Sequence, residues 1–527
     1  MNGKPIRSLS LELTESARGD WSFVGEPWGQ GADGLINTAG DAVDENLAFY
    51  TAQAFGDFEA EYEFRWDCVW TSGAFVFRAQ NARHYYVLDF PAVGQQYRAE
   101  HFWAMLSTVD DSGFRKVLAM PLVPGVTSAI GVWHHVQIQV HGEQIDIKID
   151  KRPVISIRDA TYTQPGYVGL NTYNAIGGDG EKSTFRNVRI NGDPVSAPAF
   201  ADQPAPVFAW QSAHPDPSQG CGRIVRTDNG DLLVLSGENR LLRSADNGAT
   251  WVADDPLPEE VQIGLPYTTV EGQLAMVRTS HPGLPAQILK STSQDQGRTW
   301  SPYRQVGDVT LPDSYPYENF SAGSMIQTRD GRLVLMGNSS GNYEDIRKAG
   351  RCIIHHDALG SFCVCSDDGG ETWSEAVDID GPPHDERYWL FIKCGCEISG
   401  TELADGTLLT INRPIWSPFV WESRSSDGGH TWTPMTRGPF SLYAACSAMV
   451  TTTSGAVVIG GRFPALAVQV SRDNGYTWQC HQIDTAAWAN GSMLEVEPDV
   501  VLYVYGGRQE LRCQRLRVTP DGLEPVG

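Results

Sequence analysis

No run of apolar residues in this chain is long enough to cross a bilayer. The opening residues, Met-Asn-Gly-Lys-Pro-Ile-Arg-Ser, lack the apolar centre of a secretory signal, and the expectation is a cytoplasmic location. Positive charge is also scarce: 40 Lys and Arg stand against 64 Asp and Glu, a net charge of −24. That balance argues against nucleic acid and against an anionic membrane as partners, because nothing offsets phosphate repulsion at large. It leaves room for a local basic pocket holding one small anion. Apolar stretches with a 3.6-residue period are missing, which argues against a helical core. The ten cysteines include no C-x-x-C pair, the spacing of zinc knuckles and redox turns. Cys363-Val-Cys365 and Cys394-Gly-Cys396 instead put two thiols on one face of a strand, and the reading is reduced, buried cysteine behaving as a small hydrophobe. No metal or cofactor is called for, and the oligomeric state is left open.

What the chain does have is repetition. A Ser, an Asp, a Gly and a Thr-Trp pair recur five times at fixed offsets, first as Ser244-Ala-Asp246-Asn-Gly248-Ala-Thr250-Trp251. The other copies begin at Ser293, Ser366, Ser425 and Ser471 and end at Trp300, Trp373, Trp432 and Trp478. Self-similarity at a period of tens of residues means that one supersecondary unit is stacked. In each copy the Asp can bond its own turn, the Gly supplies a positive φ, and the Trp buries its ring while its N–H keeps a partner. A second repeat overlays the first: Asn229-Gly230, Glu271-Gly272, Asp330-Gly331, Asp405-Gly406 and Ser454-Gly455 each precede apolar pairs, with a degenerate copy at Pro498-Asp499. Six such inner hairpins predict six four-stranded blades, the last closed by Val207–Trp210 pairing with Leu511–Val518.

A chain of 527 residues is too long for one ordinary core, and its texture changes along its length. Residues 1–195 carry no box but do carry alternating strands, such as Phe58-Glu-Ala-Glu-Tyr-Glu-Phe-Arg-Trp66 and Gln144-Ile-Asp-Ile-Lys-Ile-Asp150. Period two means one packed face and one wet face, as in a β-sandwich. Residues 196–206 form a Pro-rich linker, and 207–527 hold the repeats. The fold class expected is all-β, a sandwich followed by a six-bladed propeller.

The runs Trp133-His-His-Val-Gln-Ile-Gln-Val140 and Phe185-Arg-Asn-Val-Arg-Ile190 resemble those of concanavalin-like, laminin-G-like jelly rolls attached to sugar-degrading enzymes. The boxed region resembles the sialidase superfamily of BNR (Asp-box) propellers. That resemblance implies three arginines that grip a substrate carboxylate, chemically apt because guanidinium forks bind carboxylates in two places at once. Arg223, in Gly222-Arg223-Ile224-Val225, matches the first. Arg413 matches the second, following Glu397 across an inner hairpin. Arg462, nine residues before Ser471, matches the third. Two family parts are missing. Asn490 or Gly491 stands where the nucleophilic Tyr would be, and Ser236–Arg243 holds Glu238 but no acid Asp. Retaining sialidase chemistry needs both.

Other residues at strand entrances could act in their place. Glu318 and Glu397 are the carboxylates for acid/base work, Tyr443 is a hydrogen-bond donor or alternative nucleophile, and Tyr267 is a sugar contact. The insertion 341–360 adds His355 and His356. Three readings follow: a glycoside hydrolase on a terminal acidic or polar sugar, a lyase-like enzyme on a uronate glycan, and a carbohydrate-binding propeller without catalysis.

Overall fold

A computed structural model describes residues 7–25, 28–37, 46–68, 71–91, 102–174, 183–201, 208–215, 222–237, 239–258, 261–280, 284–311, 319–342, 357–379, 395–414, 419–440, 448–462, 466–485, 488–507 and 510–527. The chain divides into two compact units. One is Met1–Ala209 with Pro464–Ala467 and Cys480–Ala487, and the other is the remainder from Trp210.

The first unit is built around the strand Asn46–Trp66. Its second half alternates as the sequence predicts: Phe58, Ala60, Tyr62, Phe64 and Trp66 are buried, while Glu59 and Glu61 accept hydrogen bonds from Gln139 and Gln137 on the adjoining strand His134–His141. That strand, Gly166–Asn174 and Ser183–Val195 all pair with it antiparallel. The strands Thr71–Asn81 and His84–Pro91 are buried on both faces. Phe75, Phe77, Tyr86 and Leu88 enter one core, and Ala74, Val76, Tyr85 and Val87 enter a second. Asp89 lies among them, fully buried, and takes bonds from Arg115 Nη1 at 2.8 Å, from the Tyr173 hydroxyl at 2.9 Å and from the Ser72 hydroxyl. Burial pushes its carboxyl up to about 7.

In the second unit each box closes a hairpin by one hydrogen-bond scheme. The Ser244 hydroxyl donates to Asp246 Oδ1 at 2.7 Å and accepts from the Gly248 amide at 2.8 Å. Asp246 then accepts the Thr250 amide at 2.8 Å and the Thr250 hydroxyl at 2.6 Å. These donors, with Thr250 first among them, hold the Asp246 carboxyl down to about 2. The same bonds recur in the other four copies, from Asp295 to Asp473. The turn uses two successive positive-φ residues, not one: Gln296 at 61° precedes Gly297 at 85°, and Asn474 at 59° precedes Gly475 at 87°. The Trp expectation is corrected in part. Trp300 and Trp478 donate to the carbonyls of Gly297 and Gly475. Trp251, Trp373 and Trp432 make no hydrogen bond through their N–H; the indoles of Trp251 and Trp432 lie beside the sulfurs of Cys513 and Cys363.

Four sheets are antiparallel meanders of four strands, whose first strands are Arg223–Arg226, Leu265–Thr268, Ser321–Gln327 and Gly395–Glu402. A fifth joins Gln211–Pro215 to Glu510–Thr519, Val500–Gly506 and Trp488–Glu497, with Gly522–Pro525 on its outer side. The ring closes there through Gln211 opposite Cys513, so the closing strand begins just after the expected Val207–Trp210. First strands neighbour one another in chain order, Gly395–Glu402 reaching Trp488–Glu497 by way of Met449–Thr451, and return from Trp488–Glu497 to Arg223–Arg226.

The expected six blades are corrected to five. The fifth box's repeat, beginning at Met449–Thr451, does not stand as a sheet of its own. Most of its last strand, Gln479–Asp484, belongs to the first unit, where His481 and Gln482 pair with Lys116 and Arg115. The described chain is thus all-β, an N-terminal β-sheet domain and a propeller-like ring of five separate sheets.

Candidate functional site

In a meander, the start of the first strand and the end of the second lie at one end of the sheet. The arginines singled out in the sequence all occupy that end. Arg223 opens Arg223–Arg226, Arg413 is the next-to-last residue of Leu408–Pro414, and Arg462 closes Val457–Arg462. Their local sequences explain the placement. Each ends or begins a short apolar strand, such as Leu-Leu-Thr-Ile before Asn412 and Arg413, where the ladder gives way to polar residues.

Glu397 lies opposite Arg413 in the ladder, and Arg413 Nε donates to its Oε2 at 2.6 Å. The two side chains are 20% and 18% exposed, so the pair is held at a partly dry edge. Arg223 is half-buried, and its Nη1 is buried without a hydrogen-bond partner. A buried, unsatisfied guanidinium nitrogen is costly, and an anion would satisfy it. The strand it opens is fixed by its neighbour, since the Ile224 amide donates to Ser492 Oγ at 3.3 Å. Arg462 is buried at 8% exposure.

Sequence reasoning missed the polar chain that steadies the Arg413 strand. Asn338 Nδ2 donates to Ser361 Oγ at 3.1 Å, and Ser361 donates to Asn412 Oδ1 at 3.4 Å, joining the third sheet to the fourth beside Arg413. The only sequence signal was an Asn at the end of an apolar strand, and its partners come from another repeat.

Tyr267 is not at this edge. It is 2% exposed and packs with Leu333, Leu335 and Phe362, while its hydroxyl donates to the Gly369 carbonyl at 3.0 Å. Burial pushes the phenol pKa well up. Tyr267 therefore serves the stacking of one sheet on the next instead of an open surface. Glu318, Tyr443, Glu238, His355 and His356 lie outside the described residues.

Both missing family parts have a structural counterpart. A Cβ at Gly491 would lie 2.1 Å from the Val504 carbonyl oxygen and 2.9 Å from the Tyr503 ring, so no side chain fits there. The segment where the family keeps an acid is a tight hairpin, with Ser236 paired directly to Arg240 and Asn239 at a φ of 58°. At the other end of the inner strands a cleft of about 490 Å³ is lined by Gln327, Thr401, Thr451 and Glu495. Its polar groups bond one another, as in Thr401 to Thr451 at 3.0 Å and the Thr453 amide to Glu495 at 2.7 Å. Among the described residues no three His, Cys, Asp or Glu side chains gather as a metal site, and no helix is long and apolar enough to cross a membrane.

Comparison with known proteins separates the two parts of the chain. Residues 261–492 match the BNR repeat-like domain, and residues 13–191 match the 3-keto-alpha-glucoside-1,2-lyase-like domain. A sialidase of Clostridium perfringens is 26% identical over 217 residues, 37% of this chain and 53% of that protein. A sialidase of Paraclostridium sordellii is 28% identical over 214 residues, 36% of this chain and 48% of that protein. The chain thus spans about half the length of the curated relatives it matches. Among solved structures, a Hadza microbial sialidase is 16% identical with a TM-score of 0.43, covering 94% of this chain and 98% of its own. A carbohydrate binding module from Bacillus subtilis is 19% identical with a TM-score of 0.27, covering 33% of this chain and 96% of its own. The chain is similar to BNR repeat-like proteins over residues 261–492, the part that forms most of a propeller-like ring of sheets, and it carries a separate N-terminal β-sheet domain.

Proposed function

We propose that this is a carbohydrate-active protein whose propeller holds a terminal acidic or polar sugar at the Arg223, Arg413 and Arg462 end of its strands. The observation that carries this reading is the unpartnered, buried Nη1 of Arg223 at the same strand end as the Glu397–Arg413 pair. A carboxylate-bearing sugar supplies the acceptor that Arg223 lacks, and Glu397 is the carboxylate paired with Arg413 at the same strand end. The reaction proposed is exo-acting glycoside hydrolysis by a route other than the Tyr/Asp one, since position 491 has no room for a side chain and the run 236–243 contains no Asp. The domain spanning residues 1–195 is proposed as a carbohydrate-binding accessory, joined through 196–206 to the propeller at 207–527. The sialidase relatives support the sugar class.

The test is incubation with glycans ending in sialic acid, uronic acid or a neutral sugar. Release of a reducing sugar without an unsaturated chromophore is the expected result; a chromophore would mean elimination. Because position 491 has no room for a Tyr side chain, binding without product is the second reading. Arg223→Ala is expected to weaken binding of the acidic glycan about tenfold or more, the loss of one charge-assisted bond. If Arg223→Ala, Arg413→Ala and Arg462→Ala all leave affinity unchanged, the anionic-sugar reading is wrong.

A further inference from the structure

In three of the five boxes a cation from the preceding sheet caps the carbonyl that precedes the box glycine. Arg243 Nη2 donates to the Gln296 carbonyl at 2.8 Å, Lys290 Nζ to Gly369 at 2.6 Å, and Arg424 Nη1 to Asn474 at 2.8 Å. At the fourth box thiols stand in place of the cation. Cys365, in the register held by Arg243 and Arg424, reaches the Gly428 carbonyl at 3.9 Å, and Cys363, in the register of Lys290, reaches Gly429 at 3.7 Å. Thiols are weak donors, so this docking contact is poorer than the others by a full cationic bond each time.

The surroundings of the pair suit a thiolate. Both cysteines sit on one face of the strand Asp357–Ser366 and are buried, at 0% and 4% exposure. Arg332 lies over Gly428, its Nε 3.5 Å from where a Cβ would be. Its Nη1 pairs with Asp367 at 2.7 Å and its Nη2 meets His430 Nε2 at 2.8 Å, while its Nε is buried without a hydrogen bond. The Trp432 indole lies on the Cys363 side. The Cys363 thiol, and then the charge of Arg332, bring the Cys365 thiol down to about 7 against its burial, whereas Cys363 itself is pushed up. Asp367 opposes this from the same side. Of the two thiols, Cys365, beside Cys363 and the Arg332 guanidinium, is the one whose thiolate is favoured.

We propose that Cys365 and Cys363 form a peroxide-reactive thiol pair, a modification site between the third and fourth sheets. The Cys365 thiolate attacks the terminal oxygen of a hydroperoxide. The O–O bond breaks, the sulfur becomes a sulfenate, and the alkoxide or hydroxide leaves with a proton from solvent. The protonated sulfenic acid is then attacked by the Cys363 sulfur, closing an S–S bond and releasing water. Two strand residues spaced i and i+2 stand near the upper limit for a disulfide in extended backbone, so closure bends the strand. That bend falls on the ladder between Cys363 and Val377 and on the carbonyls of the fourth box. Oxidation thus loosens the contact that already lacks a cation.

The test uses the full chain, reduced and then exposed to hydrogen peroxide at pH 7.5, followed by alkylation and peptide mass measurement. The expected product is a 363–365 disulfide, with Cys513 as the internal reference because burial pushes its thiol up to about 11. Cys363→Ser is expected to stop at a dimedone-trappable sulfenic acid on Cys365. Arg332→Gln is expected to slow oxidation of Cys365 about tenfold, with its circular dichroism confirming the fold; Cys363→Ala is a milder variant with the same expected direction. Oxidation of Cys365 no faster than Cys513, or a rate indifferent to both variants, overturns the proposal.

Discussion

Replacing Arg115 by Met tests how the first unit keeps a charge in its core. Wild-type Asp89 and Arg115 are both fully buried, 2.8 Å apart. With Arg115 in place burial already holds the Asp89 carboxyl near 7; without Arg115 it keeps only the Tyr173 and Ser72 hydroxyls and the Phe90 amide, and is pushed further up. A carboxyl raised in the folded state carries no penalty below its unfolded value near 3.8. Above that value the folded protein holds a proton that the unfolded chain gives up, and the penalty grows until pH passes about 7. At roughly 1.4 kcal/mol per pH unit, the penalty is about 4 kcal/mol at pH 7.5 and about 2 kcal/mol at pH 5. Wild type already carries that penalty; Arg115→Met adds to it only where the carboxylate would be charged, above about pH 7. Arg115→Met should therefore be destabilised most at neutral pH, and acid should narrow its gap from wild type. Scanning calorimetry of both proteins at pH 5 and 7.5, with hydrogen exchange of His84–Pro91 to assign the transition, measures that gap. An Asp89→Leu/Arg115→Met double variant should show little pH dependence. A gap of equal size at both pH values would refute the reasoning.

The box aspartates titrate in the opposite sense. Hydrogen bonds hold Asp246, Asp368 and Asp427 down to about 2 against burial, so their contribution is present above the unfolded value near 3.8 and lost as pH falls through 2. Tryptophan fluorescence is expected to report loosening of the second unit across that window; a flat signal to pH 2 would count against it. Gly297→Ala places a methyl 2.4 Å from Leu233 Cδ1 at a φ of 85°, whereas Gly230→Ala at 92° meets nothing within 4 Å. The first should cost about 2 kcal/mol more than the second by thermal melting, since it adds overpacking to the same backbone strain. Lys290→Met removes the cap on Gly369 and the ion pair with Glu371 at 2.8 Å, and should lower the melting temperature more than Arg304→Met, whose side chain is 55% exposed.

The boxes were legible because every contact that closes them lies within eight residues. Ser, Asp, Thr and Gly encode the turn wherever it is placed. The number of separate sheets was not legible, because it depends on which partner Gln479–Asp484 takes, and the pairing of His481 with Lys116 has no local signal. Tyr267 read as a rim aromatic because its strand begins at a repeat boundary. Its burial comes from Leu333 and Gly369, which belong to the next repeat. The arginines were readable as positions, but the Asn338–Ser361–Asn412 chain beside Arg413 was not, since it spans two repeats. Gly491 shows the converse. Sequence reveals only that Tyr is missing, and the Val504 carbonyl shows why nothing larger than glycine could stand there.

The clasp between Gln211–Pro215 and Glu510–Thr519 sets an order of events during synthesis. The earliest strand of the ring leaves the ribosome long before its partner exists and waits with one edge unpaired. The intervening hairpins are local and can form as they emerge, but the circle is shut by a single pairing of very long sequence separation, whose closure entropy must be met all at once. Until then the open ring exposes the edges of its first and last sheets, the state in which such a chain is most vulnerable to aggregation. Slow, late ring closure is thus built into the topology, and a chain stalled before residue 510 would carry nearly all of the propeller's strands without being a propeller.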